Sequence, residues 1–542
     1  MLMKIIVVGG VAGGPSFATR LRRLSEDHEI VLIERGDNIS YASCALPYYL
    51  GGVINDRDSL IERTPAILKQ KNNIDVRIRQ SVTAVDPEAQ TIQVKRLDDG
   101  STYTETYDRL VLATGASPVK PRLEGLLGVT NAFTLRSMTD ADRIKTFMAE
   151  NQPKKVAILG AGTAGLELAE NMQRAGLEVT VIDMADQVLS PYDREIADIV
   201  KDEVVAHGVT LLLNKKVRTF EASGCILRLV DDTTILTDMT LLMTGVTPNS
   251  ELAQAAGIAV SADGHIQVDD HLQTSAKNVY AIGDVVETTS LITGKPVASL
   301  LSSAANRQGH LLADIINGDD LRYAGFIGVS VAKIFDLTVS SVGFSTQQLD
   351  AMGITDYDSV FVTPFDHAYF YPNAKRLSIK LVFATGTGKI LGGQFVGEAG
   401  VDKRAGELSA AITGGLTVND LPSLELPYSP PYSATRDPLN IAGYVAINKL
   451  TDLIETVDSQ ALTDTDRATG FFLDVREAGK PEAGTVAATA NIPLSELRDR
   501  LAEIPADRTI FITYRKGLNP YNAARILAGK GYQVRLITET TD

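Results

Sequence analysis

The sequence reads as an α/β chain of several domains, and three observations predict it. Two stretches, 4–34 and 156–183, run strand, glycine turn, helix, strand. An apolar strand ending in Thr-Gly follows each, at Thr114-Gly115 and at Thr244-Gly245. From about residue 326 onward strand and helix patterns alternate again. With 542 residues, and about 150 residues to a domain, three or four cores are expected. A chain that is 44% hydrophobic and 22% charged is ordinary for a soluble globular protein.

In the first unit, Lys4-Ile5-Ile6-Val7-Val8 enters Gly9-Gly10-Val11-Ala12-Gly13-Gly14, a helix carries Phe17 to Leu24, and Glu29-Ile30-Val31-Leu32-Ile33 ends on Glu34. A helix N-terminus offers unpaired N–H groups to a pyrophosphate, glycine lets the backbone come close, and an acid at the second strand's end accepts hydrogen bonds from a ribose. Val11 stands at the usual second glycine, so this copy is imperfect.

The second copy is complete. Val156-Ala157-Ile158-Leu159 leads to Gly160-Ala161-Gly162-Thr163-Ala164-Gly165, a helix through Arg174, and a strand closing on Asp183. No Arg or Lys follows before Asp186, so a 2′-phosphate would meet a carboxylate and no cation. NADH is therefore expected, with NADPH as the alternative. Val279-Tyr280-Ala281-Ile282-Gly283-Asp284 ends a further strand on an acid suited to a ribityl chain.

Between the first motif and the rest lies Ser40-Tyr41-Ala42-Ser43-Cys44-Ala45-Leu46-Pro47-Tyr48-Tyr49, which holds one of only two cysteines. A thiol among small residues beside a dinucleotide site is a candidate redox centre. The other, in Gly224-Cys225-Ile226-Leu227, has no basic or glycine-rich activating surroundings and is expected to be a buried, inert thiol in a strand. Arg20, Arg22 and Arg23 on the first helix, with Lys69 and Lys71, are candidate phosphate binders.

A net charge of −15 argues against nucleic acid as a partner. Two cysteines make no disulfide framework, the N-terminus runs straight into a strand, and no apolar span reaches membrane length, so a cytoplasmic protein is expected with no membrane association. Six histidines without ligand spacing give no expectation of a metal site.

The order of glycine motif, Thr-Gly, second glycine motif, second Thr-Gly and Gly283-Asp284 resembles the two-dinucleotide-domain flavoprotein disulfide reductases. Within them, Cys44 with Leu46-Pro47-Tyr48 resembles the coenzyme A disulfide and coenzyme A persulfide reductases, over residues 1 to about 447. The resemblance implies two nested Rossmann-like domains, with FAD bound by 1–119 and 240–325 and NAD(P)H by 120–239. It further implies an α+β dimerisation domain at 326–447. FAD is then expected at Gly9, Gly10, Val11, Ala12, Gly13, Gly14, Glu34, Arg35, Ser43, Thr114, Gly115, Gly283 and Asp284. NADH is expected at Gly160, Gly162, Thr163, Gly165, Glu167, Asp183 and Gly245. Coenzyme A, as persulfide or disulfide, is expected near Arg20, Arg23, Ser40, Ser43, Lys69 and Lys71.

The resemblance also implies a homodimer in which Tyr371, in Asp366-His367-Ala368-Tyr369-Phe370-Tyr371-Pro372, and Tyr432, in Tyr428-Ser429-Pro430-Pro431-Tyr432-Ser433, approach Cys44 of the partner. His367 is expected to be structural. This chain departs from the family at Ser43, commonly asparagine, at Thr163, often aromatic, and at Phe370, where a second tyrosine is usual. Tyr49 stands where relatives with an internal disulfide carry a second cysteine. A mixed disulfide between Cys44 and a substrate thiol is expected, the alternatives being an NADH oxidase or peroxidase using a Cys44 sulfenic acid, or a flavin redox sensor with a partner-binding module.

After a polar stretch at 448–466 expected to be a linker or short helix, Gly470-Phe471-Phe472-Leu473-Asp474-Val475-Arg476-Glu477 and the following 467–542 pattern resemble a rhodanese-like α/β domain. Tyr514 stands at the position of its catalytic cysteine and Asn519 at that of its arginine, so no sulfurtransferase activity is expected from it.

Overall fold

A computed structural model describes residues 2–477, 487–513 and 518–538. The chain forms two compact units, Met1–Ser190 with Lys201–Phe335, and Pro191–Val200 with Asp336–Asp542.

The first unit is built on two parallel five-stranded sheets. In one, strands Val279–Ala281, Arg109–Leu112, Lys4–Val8, Glu29–Ile33 and Asp75–Arg77 lie in that order. Ile5, Ile6 and Val7 are fully buried, as the central strand of a sheet covered on both faces requires. The helix Gly13–Leu24 packs Phe17, Ala18 and Leu21 on one face, and the antiparallel strands Gln80–Asp86 and Thr91–Arg96 close the other with Val82, Val85, Ile92 and Val94.

The second sheet runs Thr210–Leu212, Glu178–Ile182, Lys155–Leu159, Met239–Leu242, Ala132–Phe133. Met239–Leu242 is thus part of the nucleotide sheet expected to end at 239. All four of its residues are buried, and the strand satisfies the side of Val156–Leu159 that faces away from Glu178–Ile182. The chain passes between the two domains immediately afterwards, where Val246–Pro248 pairs antiparallel with Ala116–Pro118.

In the second unit, strands Leu337–Gly343, Ile390–Gly397, Leu377–Ala384 and Tyr357–Val362 lie side by side, antiparallel, with helices Val401–Thr413 and Pro438–Leu450 packed against them. Residues 191–200, expected in the nucleotide domain, belong to this unit. Their anchor is the buried Asp193, whose carboxylate accepts from the Thr346 hydroxyl at 2.6 Å and from Gln394 Nε2 at 2.8 Å; the buried Lys380 pairs with it at 3.2 Å and with Glu195 at 2.9 Å. A carboxylate removed from water needs such partners, and they lie on the antiparallel sheet.

The C-terminal part of this unit has its own parallel sheet, in the order Glu455–Asp458, Val534–Thr538, Ile510–Ile512, Phe471–Asp474, Ala490–Asn491, with a core of Leu473, Ile510, Ile512, Ala523 and Leu527. The stretch 448–466 is therefore not a linker. It holds the end of helix Pro438–Leu450, the edge strand Glu455–Asp458, and the start of helix Asp464–Thr469, capped by Thr463 and Asp466. An edge strand pairs on one side only and carries polar residues, which made it read as connecting chain. Tyr514 lies outside the described residues; Asn519 is exposed in the first turn of helix Leu518–Ala528. Among the described residues no helix is long and apolar enough to cross a membrane.

Candidate active site

The two glycine loops share their first and last glycines and a bracing acid. Gly9 and Gly160 open them with φ of 112° and 116°, a region L side chains avoid. Gly14 and Gly165 sit where a Cβ would run into the carbonyl oxygens of Gly9 and Gly160. The acid of each unit braces its loop: Glu34 accepts from the N–H of Gly10 at 2.8 Å and of Gly36 at 2.7 Å, and Asp183 from those of Ala161 at 2.6 Å and Ala185 at 2.8 Å.

Around the first loop lies a cavity of about 740 Å3 bounded by Val11, Ala12, Glu34, Arg35, Thr114, Gly115, Gly283 and Asp284, with Ser43 at its wall. Its size is that of a cofactor site. Its donors suit a dinucleotide: loop amides and a helix N-terminus for phosphate, and carboxylates for hydroxyl groups. Asn249 closes one side, donating to the Thr114 carbonyl at 2.7 Å and accepting from the Ser117 hydroxyl at 2.6 Å. The sequence reading missed Arg136. It lines the same cavity and pairs with Asp284 at 2.5 Å. The available signal was the capping pair Ser137 and Asp140, whose helix start holds Arg136 in place.

Cys44 is exposed in the turn Ser43–Ala45, which runs directly into helix Leu46–Leu50. That short helix is fixed by burial of Leu46, Pro47 and Leu50. Tyr48 donates to Glu167 on helix Thr163–Arg174 at 3.1 Å. Burial raises the Glu167 carboxyl, and burial together with the Glu167 charge raises the Tyr48 phenol. Glu167, expected at the nucleotide, thus touches the helix that follows Cys44. Ser40 ties the Cys44 segment to the first loop: it holds φ 44°, donates from its N–H to the Gly10 carbonyl at 2.8 Å, and accepts from the Glu62 N–H at 2.8 Å.

The candidate phosphate binders divide. Arg22 is buried and spends its guanidinium on the carbonyls of Ser25, Glu26, His28, Asn72 and Asn73, so it has no donor left for a ligand. Arg20 pairs with Asp314 at 2.6 Å, and Lys69 donates to Asn73 at 3.2 Å, while Arg23 and Lys71 are exposed. Cys225 is exposed, not buried, because it lies in the turn after Gly224 that joins two strands rather than within a strand.

In the second unit, Tyr371 and Tyr432 are 42% and 72% exposed, and neighbouring Tyr369 and Phe370 are 75% and 67% exposed. His367 is buried, with Nδ1 at 2.7 Å from Asp366 and Nε2 at 3.2 Å from the Pro372 carbonyl; the Asp366 hydrogen bond raises it above the ordinary imidazole range.

Residues 3–308 match the family model described as pyridine nucleotide-disulphide oxidoreductase, and residues 329–438 match the model of that family's dimerisation domain. The chain belongs to this family. It is an FAD-dependent oxidoreductase that also binds NAD(H). A coenzyme A disulfide reductase of Staphylococcus aureus is 34% identical over 444 residues, covering 82% of this chain and 99% of the relative. The crystal structure of reduced Bacillus anthracis CoADR-RHD has a TM-score of 0.97 and 43% identity, covering 99% of this chain and 96% of that one. A NAD-dependent persulfide reductase from A. fulgidus has a TM-score of 0.90 and 36% identity, with coverages of 99% and 98%.

Proposed function

We propose that this flavoprotein reduces coenzyme A persulfide with NADH, releasing sulfide and coenzyme A, through Cys44 as the single redox sulfur. The observation that carries this is Cys44 itself: exposed, next to Ser43 at the cavity wall, in a turn that leads into a helix held by its buried side and by Tyr48. The only other cysteine is on the distant turn at 225 of the sequence, so no resolving thiol follows Cys44 along its segment. The persulfide substrate is supported by the A. fulgidus relative, whose likeness extends over 99% of this chain, C-terminal sheet included. Coenzyme A disulfide, as in the S. aureus relative, follows by the same chemistry.

Flavin bound in the cavity supplies a two-electron carrier between nicotinamide and sulfur. The Gly9–Gly14 loop, Glu34 and Asp284 would hold it, and the Gly160–Gly165 loop and Asp183 would hold NADH. The Cys44 thiolate attacks the coenzyme A-bearing sulfur of the persulfide, forming Cys44–S–S–CoA and expelling hydrosulfide. Two electrons and a proton, from NADH, then break that bond, restoring the Cys44 thiolate and freeing coenzyme A thiol. One further proton converts hydrosulfide to hydrogen sulfide. Tyr371 and Tyr432, supplied by a second copy of the chain in a homodimer, donate hydrogen bonds to the departing sulfur. The C-terminal domain is rhodanese-like in this reading and without sulfurtransferase activity of its own, since Tyr514 replaces the sulfur-carrying cysteine.

The test is anaerobic NADH oxidation by FAD-loaded protein with coenzyme A persulfide, coenzyme A disulfide or oxygen, beside Cys44→Ser. Rapid sulfide release that Cys44→Ser lowers by about a thousandfold or more is expected. NADH consumption by oxygen alone, with both coenzyme A substrates idle, would make the chain an oxidase. Idle acceptors throughout, with the flavin reduced by NADH, would favour a sensor.

A further inference from the structure

In the second unit one guanidinium joins the two aromatic loops. Arg404, on helix Val401–Thr413, is 1% exposed and among the largest fully buried side chains. Its Nη2 donates to the Asp366 carbonyl at 2.8 Å, at the start of the loop that carries Tyr371. The same nitrogen reaches the Ser433 hydroxyl at 3.3 Å, next to Tyr432, and Asp437 Oδ2 at 2.8 Å; Nε reaches Asp437 Oδ1 at 3.2 Å. Nη1 donates to the Gly400 carbonyl at 3.3 Å. Ser433, fully buried, donates to Asp437 Oδ2 at 2.7 Å, and Asp437 caps helix Pro438–Leu450 through the Leu439 N–H.

Only a planar group with several donors in fixed directions serves two loops and a carboxylate at once; a lysine ammonium is a single point. The backbone is cut to fit it, because a Cβ on Gly400, which holds φ 73°, would strike Arg404 Nη1. The Tyr371 loop is closed at its other end by His367, whose Nδ1 and Nε2 both face acceptors, and the His367 ring lies edge-on to Tyr371 with centroids 5.7 Å apart. The tyrosine rings themselves are exposed. A buried, hydrogen-bonded framework therefore carries two exposed tyrosines.

We propose that Arg404 is the positioning residue that fixes the 366–372 and 428–433 loops against one another, so that Tyr371 and Tyr432 are presented as a preformed pair. The inference rests on the reading that these tyrosines act on sulfur at Cys44. Arg404 touches no substrate; it acts through Ser433 and Asp366. Pre-set geometry is worth large factors in rate, a displacement of about 1 Å costing on the order of a hundredfold.

The experiment is a set of double-mutant cycles in the full-length, FAD-loaded protein, with NADH and coenzyme A persulfide. Arg404→Lys and the milder Ser433→Ala are each made alone and with Tyr432→Phe, Arg404→Lys also with Tyr371→Phe added. Arg404→Lys is expected to lower kcat by about 10- to 100-fold and Ser433→Ala by about 3- to 10-fold, with KM for NADH unchanged. Ser433→Ala in the Tyr432→Phe background, and Arg404→Lys in that background with Tyr371→Phe added, should lower kcat by no more than about twofold further, because the groups they position are already gone. Losses that multiply undiminished in those backgrounds would overturn the proposal and leave Arg404 a purely structural residue. Should Arg404→Lys not fold, Ser433→Ala decides by the same criterion. Were Tyr432→Phe alone without effect, the parent reading of the tyrosines would fail, a result distinct from multiplying losses, and the role of Arg404 would fall with it.

Discussion

The first and second glycine loops differ at their middle position, Val11 in one and Gly162 in the other, and their helices begin at Gly13 and at Thr163, yet both open on a glycine of positive φ. A side chain at Gly162 would meet open space, whereas one at Gly14 or Gly165 would meet backbone oxygen. The outer glycines are therefore required by the turn itself, and the middle one is free to vary with what lies in front of it. The acids differ too: Glu34 spans the amides of Gly10 and Gly36, while the shorter Asp183 spans Ala161 and Ala185. Each carboxylate holds its loop from the side on which the ribose is expected.

The largest effect that separates the loops should come from Gly14→Ala and Gly165→Ala. Each forces a methyl against a carbonyl and costs about 1–3 kcal/mol or more. Gly14→Ala should yield protein largely free of FAD by its absorbance spectrum, while Gly165→Ala should keep FAD and lose NADH binding. If both lost FAD equally, the two loops would not be independent sites.

Next come the acids. Asp183→Ala leaves the Ala161 and Ala185 amides without their acceptor and should raise KM for NADH by about 10- to 100-fold, a loss of about 1.4–2.7 kcal/mol. Glu34→Gln should instead weaken FAD retention measured by gel filtration, with KM for NADH little changed.

The smallest difference is expected at the middle positions. Gly162→Ala should change the melting temperature hardly at all, within about 0.5 kcal/mol of stability, since nothing lies in its way. A large loss there would show that the middle glycine is needed by the fold and not by the ligand.

The His367 loop differs from these glycine loops in being held by an imidazole. The Asp366 hydrogen bond raises His367, so protonation favours the folded state. That contribution is complete below the unfolded value of about 6.5 and is lost as pH rises through the higher folded value. The melting-temperature gap between wild type and His367→Gln should therefore shrink from about pH 6 to about pH 9. A gap that widened with pH would contradict an imidazolium between Asp366 and Pro372.

Much of the site was legible because its determinants are close along the chain. The glycine spacings, Glu34, Asp183 and the small residues around Cys44 are each set by neighbours within a few turns, where sterics and hydrogen bonding act directly. Membership of Met239–Leu242 in the second sheet was not, since any apolar strand suits either sheet until its neighbours are known. Nor was the strand Glu455–Asp458, whose polar sequence describes an edge.

By itself the sequence determined two nucleotide loops, their acids and one cysteine placed between them. Only the tertiary structure decided what the charged and thiol groups do. Arg22, a candidate phosphate binder in the sequence, is buried and fully bonded, as is Arg404, while Arg136 proved to pair with Asp284 at the cavity and Cys225 to stand in solvent. The reason is physical. A residue's backbone conformation is fixed by its near neighbours, but whether its charge is bonded, buried or free depends on groups brought beside it from other elements of the fold, 51 residues away for Arg22 and Asn73 and 148 for Arg136 and Asp284.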